Sequence, residues 1–209
     1  MIKAKKSLGQ NFLNDKDILE KIVNAPIVKN KTIMEVGPGT GNLTSFILSK
    51  KPKKVYGIEK DKNLTAILSS KFREKLVLIN DDILNIDERK MFDEKVIVFG
   101  NLPYNISTEI LCKWILNLND NKIWFKSLIL MFQKEVADRI VAEFNTSNYG
   151  RLSIMSNWKL NIKKICDIKS ISFSPRPKVD SSLLFFSPKE KFLKIENPKN
   201  LELITRTFF

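Results

Sequence analysis

A chain of 209 residues, 43% hydrophobic and 28% charged, is long enough for one α/β domain with a sizeable core, or one domain plus a fragment. It contains no His, which removes His-based triads, His general bases and most zinc sites; Cys112 and Cys166 lie far apart in no C-x-x-C pattern, as expected of two buried thiols in a reducing compartment. No apolar run approaches the roughly 20 residues of a membrane span, and the basic start from Met1 to Lys6 lacks the apolar segment of a secretory signal, so a cytoplasmic protein is expected.

The net charge of +13 is spread along the chain and favours a polyanionic partner over a neutral one, although a general richness in Lys would give the same number. Lys3 to Lys6 lead into Ser7-Leu8-Gly9-Gln10-Asn11-Phe12-Leu13, which reads as an ordered arm. Asn14 is placed as an N-cap before Asp15 and Asp17, and Ile18, Leu19, Ile22 and Val23 share one helical face that Pro26 closes. Thr32–Val36 is a strand candidate running into Gly37-Pro38-Gly39-Thr40-Gly41, and Asn42–Leu48 opens a helix. Strand, Gly-rich turn and helix form the entry of a nucleotide-binding βαβ unit. The spacing is G-x-G-x-G, and Pro38 removes an N–H that a pyrophosphate would use; a nucleoside ligand without a pyrophosphate therefore fits Gly37 and Gly39 better than a dinucleotide does. Lys50–Lys54 is a solvated turn. Val55–Ile58 is the next strand, closed by Glu59, which lies 22 residues beyond Gly37, where an acid hydrogen-bonds ribose hydroxyls.

Leu64, Ile67, Leu68 and Phe72 mark a further helix, and Leu76–Ile79 a strand followed by Asp82 and Ile83. A carboxylate at a strand's carboxyl end suits the exocyclic amine of an adenine, with Ile83 packing on its ring; the plain alternative is an Asp cap. Asn85–Glu94 reads as a polar connection. Val96–Phe99, closed by Gly100, is a buried strand that delivers Asn101-Leu102-Pro103-Tyr104 to the edge where open α/β sheets place ligands. An amide, a stiffened turn and an aromatic ring suit a planar group bearing an amine, with the Asn101 side chain and the Leu102 carbonyl as acceptors and Tyr104 stacking. Ile110, Leu111, Trp114 and Ile115 predict a helix, Leu128–Phe132 a strand and Gln133–Ala142 a helix. Arg151–Leu160 and Ile162–Ile168 read as strands. The prolines hold Phe173–Ser181 extended, with Phe173 presenting a ring and Arg176 and Lys178 meeting phosphates. Ser182–Phe186 is a last strand, residues 188–200 are a Lys-rich linker, and Leu201–Phe209 begins a helix that suggests a second domain.

The ordered set Gly9-Gln10-Asn11-Phe12-Leu13, Glu35 to Gly41, Glu59, Asp82, Asn101 to Thr108, and Phe173-x-Pro-x-Pro-x-Val-x-Ser181 resembles the S-adenosylmethionine-dependent rRNA adenine N6-dimethyltransferases. Gln133 to Ile140 and Tyr149 to Ser153 look like the KsgA type rather than the antibiotic-resistance methylases of large-subunit rRNA. The resemblance implies a Rossmann-like class I methyltransferase sheet of seven strands, mostly parallel with an antiparallel last strand, over residues 1–187. Residues 188–209 would be a linker and the start of a small α-helical C-terminal domain, most of which the chain lacks. The family's cofactor contacts carry over to Asn11, Leu13, Gly37, Glu59, Asp82 and Asn101, with Gly39 and Ile83 joining them from the turn and adenine readings; its target-base pocket carries over to Asn101, Leu102, Pro103, Tyr104 and Phe173. The implied activity is methylation of N6 on two adjacent adenosines near the 3′ end of 16S rRNA in the small ribosomal subunit, by a monomer without a metal or membrane association that also aids subunit maturation. A resistance-type methylase and a non-catalytic ribosome-assembly factor are the alternatives; the Gly spacing disfavours a nicotinamide oxidoreductase.

Overall fold

Short apolar runs that are buried on both faces become the parallel centre of a sheet, because a strand covered on both sides has no solvent face to alternate toward. The computed structural model describes residues 4, 5, 8–118 and 123–209; Lys3, Lys6 and Ser7 of the expected arm lie outside the described residues. In chain order the elements are β1 (Phe12–Leu13), α1 (Lys16–Asn24), β2 (Thr32–Val36), α2 (Asn42–Ser49), β3 (Lys54–Ile58), α3 (Lys62–Phe72), β4 (Val77–Ile79), α4 (Glu88–Met91), β5 (Val96–Gly100), α5 (Ser107–Asn117), β6 (Phe125–Gln133), α6 (Lys134–Ile140), α7 (Arg151–Lys159), β7 (Leu160–Ile168), β8 (Phe173–Ser174), β9 (Ser181–Pro188) and α8 (Pro198–Phe208).

Seven strands form one sheet in the order β4-β3-β2-β5-β6-β9-β7. The first five run parallel, and β9 is inserted antiparallel between β6 and β7. This is the expected mostly parallel sheet with its last strand reversed. Alternate residues of each strand feed two cores. Met34, Val98 and Leu130 face α5, α6 and α7 through Trp114, Ile140 and Met155. Ile33, Ile97 and Ile129 face α1, α2 and α3 through Ile22, Ile47 and Leu68. The arm's β1 pairs antiparallel with β8, Leu13 opposite Phe173, which pins the arm to the loop before β9.

Three local expectations change. Asp15, not Asn14, caps α1, accepting from the amides of Asp17 and Ile18, while the Asn14 side chain accepts from Asn42 at 2.7 Å. The polar connection 85–94 contains α4, whose Glu88 is buried. Residues 151–159 are helical, not a strand. The misreading has a physical source: the buried face of α7 carries Ser153, Ser156 and Lys159 at helical spacing, so the apolar residues alone do not trace it. Ser153 is satisfied there, donating to the Arg139 carbonyl at 2.6 Å and accepting from the Gly150 amide at 3.2 Å.

Helix α8 starts earlier than predicted, at Pro198 behind an Asn197 cap, and packs on α7 through the Arg151–Glu202 ion pair at 2.7 Å and the buried Thr205. Cys112 is buried as expected, whereas Cys166 is half-buried. Among the described residues no helix is long and apolar enough to cross a membrane.

Replacing Ser153 by Ala removes a cap and a link between α6 and α7. Urea denaturation of the Ser153→Ala variant is expected to show a loss of about 1–2 kcal/mol; an unchanged midpoint would contradict the helical placement of residue 153.

Candidate active site

The chain reverses its direction of travel across the sheet between β2 and β5, and ligands of open α/β sheets bind in the crevice at such a point. Val36 pairs with Gly100, so the turn beginning at Gly37 and the turn beginning at Asn101 leave the sheet side by side. Between them opens a cavity of about 250 Å³. Gly9, Gln10 and Asn11 of the arm, Gly37, Gly39, Glu59, Asp82, Ile83, and Asn101 through Ile106 all line it.

Gly37 has φ +66°, and a Cβ built on it meets only the Asn101 carbonyl, at 3.8 Å. A side chain there would project into the cavity, so the turn is a cradle kept open for a ligand. Glu59 is buried at the end of β3. Its two oxygens accept from the Asp61 amide at 2.9 Å and the Gly39 amide at 3.1 Å, which ties the Gly turn to β3. Burial pushes its pKa up, against the pull of those two amides. A carboxylate has about four acceptor positions, so Glu59 retains capacity for ribose hydroxyls.

Asp82 is the cap that the plain alternative gave, and it stands on the cavity wall. It caps the turn at Ile83–Asn85 by accepting from the Leu84 amide at 3.0 Å, and it lines the cavity. Its other oxygen meets Lys60 at 2.7 Å; that ammonium, first, and the Leu84 amide hold its pKa below the usual carboxylate range. The Asn101 amide is oriented without ambiguity, because its Nδ2 donates to the Asn11 carbonyl at 2.8 Å. Its Oδ1 is therefore the acceptor left over, and neither that oxygen nor the Leu102 carbonyl accepts a hydrogen bond among the described residues. Tyr104 is held by its hydroxyl, 2.5 Å from Ser181 Oγ at the start of β9, and burial raises its pKa.

Two expected site residues do not line this cavity. Phe173 does not line the cavity. It is 4% exposed, on the inward side of β8, and packs in the core over α1 to α3, while its strand partner position is Leu13. Pairing with the arm turns Phe173 inward and Ser174 outward, so the ring that was expected to be presented is spent on packing. Leu13 buries its side chain in that core, yet it lines a smaller pocket with Gly37, Gly39 and Asn101; its carbonyl accepts from Asn42 at 2.9 Å behind the Gly turn. Arg176 and Lys178 are exposed as expected.

Other residues at the site escaped sequence reading. Asp61 anchors the arm, accepting from Lys5 at 2.8 Å and Gln10 at 3.1 Å. Its place two residues after Glu59 was the available signal. Gln133, at the end of β6, lines an open depression beside Tyr104 together with Gly9, Asn11 and Asn105. The sequence places it at the start of a helix and of the KsgA-like stretch, without pointing to the site. Below the Gly turn, Glu35 is buried and accepts from the Thr44 hydroxyl at 2.7 Å.

The family described as ribosomal RNA adenine dimethylase matches residues 1–209. The chain belongs to that family. Its methyl donor is S-adenosylmethionine, and the open cradle at Gly37 together with the carboxylates of Glu59 and Asp82 suits the nucleoside part of that molecule. The chain is 65% identical over 208 residues to the ribosomal RNA small subunit methyltransferase A of Pelagibacter ubique, covering 100% of this chain and 79% of the relative. A dimethyladenosine transferase structure from Plasmodium falciparum is 33% identical with a TM-score of 0.76; the match covers 86% of this chain but only 64% of that one. The structure of the 23S rRNA methyltransferase ErmE, 23% identical over 93% of this chain and 76% of its own, shares the fold with a TM-score of 0.72.

Burial raises the Glu35 pKa from 4.5 to about 7. A folded-state pKa above the unfolded value means that Glu35 favours folding most below pH 4.5 and loses that contribution as pH rises through about 7. Relative to Glu35→Gln, the native chain should lose about 3 kcal/mol between those limits. Thermal melts of both proteins at pH 5 and pH 8 test this: the Gln variant should gain on the native chain at pH 8, and a constant difference would refute the shift.

Proposed function

We propose that this methyltransferase acts on N6 of two adjacent adenosines near the 3′ end of 16S rRNA in the small ribosomal subunit. The observation that carries the reading is the fixed Asn101 amide. With Nδ2 committed to the Asn11 carbonyl, Oδ1 and the Leu102 carbonyl are two acceptors without another hydrogen bond among the described residues, on two residues that line the cavity. The small-subunit preference follows the name of the Pelagibacter relative.

Bound S-adenosylmethionine supplies an electrophilic methyl group on a sulfonium. The chain's residues do the rest. Gly37, Glu59, Asp82 and Ile83 hold the nucleoside end, and Asn11 helps to close the site over it. The target adenine must leave its stack to reach the mouth. Its N6 lone pair is delocalised into the ring and is a poor nucleophile. Two acceptors aimed at the N6 hydrogens favour a pyramidal nitrogen and stabilise the cationic amine that forms. Tyr104 provides the stacking face, its ring fixed through Ser181. Phe173, with Leu13, acts one step back by holding the arm in place. The methylated nitrogen is acidic enough to release its proton to water, so the lack of His costs nothing. Holding donor and acceptor in line supplies most of the acceleration.

Residues 1–187 form the catalytic domain in this reading, and 188–209 are a linker and the beginning of a helical domain that contributes to subunit recognition. The excess Lys gives the RNA affinity its salt dependence. The protein works as a monomer in the cytoplasm, and its visit to the immature subunit also aids maturation.

Methyl transfer from labelled donor to undermethylated small subunits, with large subunits in parallel and the labelled bases mapped, tests the reading. Dimethyladenosine near the small-subunit 3′ end is the expected product; label in large subunits alone would overturn it. Asn101→Ala should lower transfer by about 100-fold or more, while calorimetric binding of S-adenosylhomocysteine falls far less. Full activity in that variant would remove Asn101 from the chemistry.

A further inference from the structure

The wall of the cavity at Ile83 is held from behind by a polar knot that the reaction itself does not use. Lys113, on the second turn of α5, donates to the carbonyl of Ile83 at 2.6 Å, to the carbonyl of Ile86 and to the carboxylate of Glu88 at 2.8 Å. An ammonium has three N–H donors, and all three are spent. The same Glu88 oxygen accepts from the Trp114 indole N–H at 2.7 Å. Glu88 is 1% exposed and the Lys113 side chain 18%, so the pair is shielded from solvent competition.

The knot joins two parts of the site. The carbonyls of Ile83 and Ile86 belong to the turn capped by Asp82, and both Asp82 and the Ile83 side chain line the cavity. At its amino end α5 continues directly from the turn of Asn101 to Ile106. In that turn the Ile83 carbonyl has one other donor, the Ile86 amide at a long 3.4 Å, and the Ile86 carbonyl accepts only from Lys113 among the described residues. Stranding a half-buried carbonyl costs about 1–3 kcal/mol, so without Lys113 the turn would swing its carbonyls toward water and carry Ile83 away from the cavity. An ion pair of this sort can be replaced by a neutral pair at little cost in stability. Its value then lies in geometry.

We propose that Lys113 and Glu88 are positioning residues that set the affinity for the nucleoside end of the methyl donor by fixing the backbone of residues 83–86. The inference rests on reading the cavity as the donor site. It separates two effects that a merely structural pair would keep together. In Lys113→Met the buried Glu88 loses its cation, and stability and affinity both fall. In the double variant Lys113→Met/Glu88→Gln the stranded charge is gone and the Gln oxygen still accepts from Trp114, so stability recovers while the turn remains untethered.

Calorimetry with S-adenosylhomocysteine, thermal melts and steady-state methyl transfer on the full chain read these effects. Both the single and the double variant should bind S-adenosylhomocysteine about tenfold more weakly or worse, with KM for the donor raised in step. At saturating donor, kcat should stay within about twofold, because the acceptor contacts at Asn101 are untouched. The melting temperature should return toward the native value in the double variant alone, and Lys113→Arg should restore most of the affinity. Native affinity in the double variant, or an affinity that recovers together with its melting temperature, would overturn the proposal. If the native chain itself failed to bind S-adenosylhomocysteine, the donor-site reading would fall first, a different result from a native chain that binds and variants that bind equally well.

Discussion

The parallel pairing of β2 with β5, from Ile33 opposite Ile97 to Val36 opposite Gly100, is the constraint on which the site depends. These strands are consecutive in space but not in sequence, because the chain first builds β3 and β4 outward on one side before returning for β5 on the other. No helix can cover the carboxyl ends at that junction from both sides. The Gly37 turn and the Asn101 turn therefore face one crevice. The two cores fix the strand pair from above and below, so the turns inherit their separation from apolar packing rather than from contacts of their own.

On that frame the proposed chemistry rests mainly on oxygen acceptors. Asn101 is aimed by the Asn11 carbonyl, Tyr104 by Ser181, and the Gly turn by Glu59. Each orienting partner comes from a distant part of the chain: the arm, β9 and β3. Such an arrangement makes no demand on a titrating base, which is consistent with a sequence that has no His. It does demand that the arm be in place. Lys5 and Gln10 secure it to Asp61 at one end, and the pairing of β1 with β8 secures it at the other.

How much of this was legible depended on whether a residue's role is local. The strands β2, β5 and β6 are continuous apolar runs, and burial on both faces leaves that mark in sequence. The Gly turn, Glu59, Asp82 and the Asn101 turn sit at strand ends, where position along the chain predicts position in the fold, and all reach the cavity. Helix α7 was misread because its buried side holds Ser153, Ser156 and Lys159, and the partners of Ser153 and Lys159 lie on other elements. Phe173 was misplaced for a related reason: which way a residue of a two-residue strand faces is decided by its partner, here the arm, and pairing across 160 residues leaves no local trace. Lys113 and Glu88 were invisible for the same cause. Lys113 looks like an exposed charge on a helix, and Glu88 like one in a polar connection, until the turn at residues 83–86 is brought against them.

Four of the acids around the crevice show how burial and partners divide otherwise similar groups. Glu35 is buried with one hydroxyl donor, and its pKa rises to about 7. Glu59, also buried but facing two amides, is raised despite them. Burial would raise Asp61 too, yet the bonds from Lys5 and Gln10 outweigh it and leave the pKa lowered. Asp82 is lowered chiefly by Lys60. The two acids at the strand ends proper are thus the reluctant ones, and the two that follow on the loops are firmly ionised. That division matches their positions: charge is favoured where a Lys can bond from solvent, and it is disfavoured by burial beneath the Gly turn, where a hydroxyl and backbone amides are the hydrogen-bond donors. Glu59 stands at the boundary between the regimes: it accepts from the Gly39 amide and lines the cavity, so the group that grips the turn also forms part of the cavity wall.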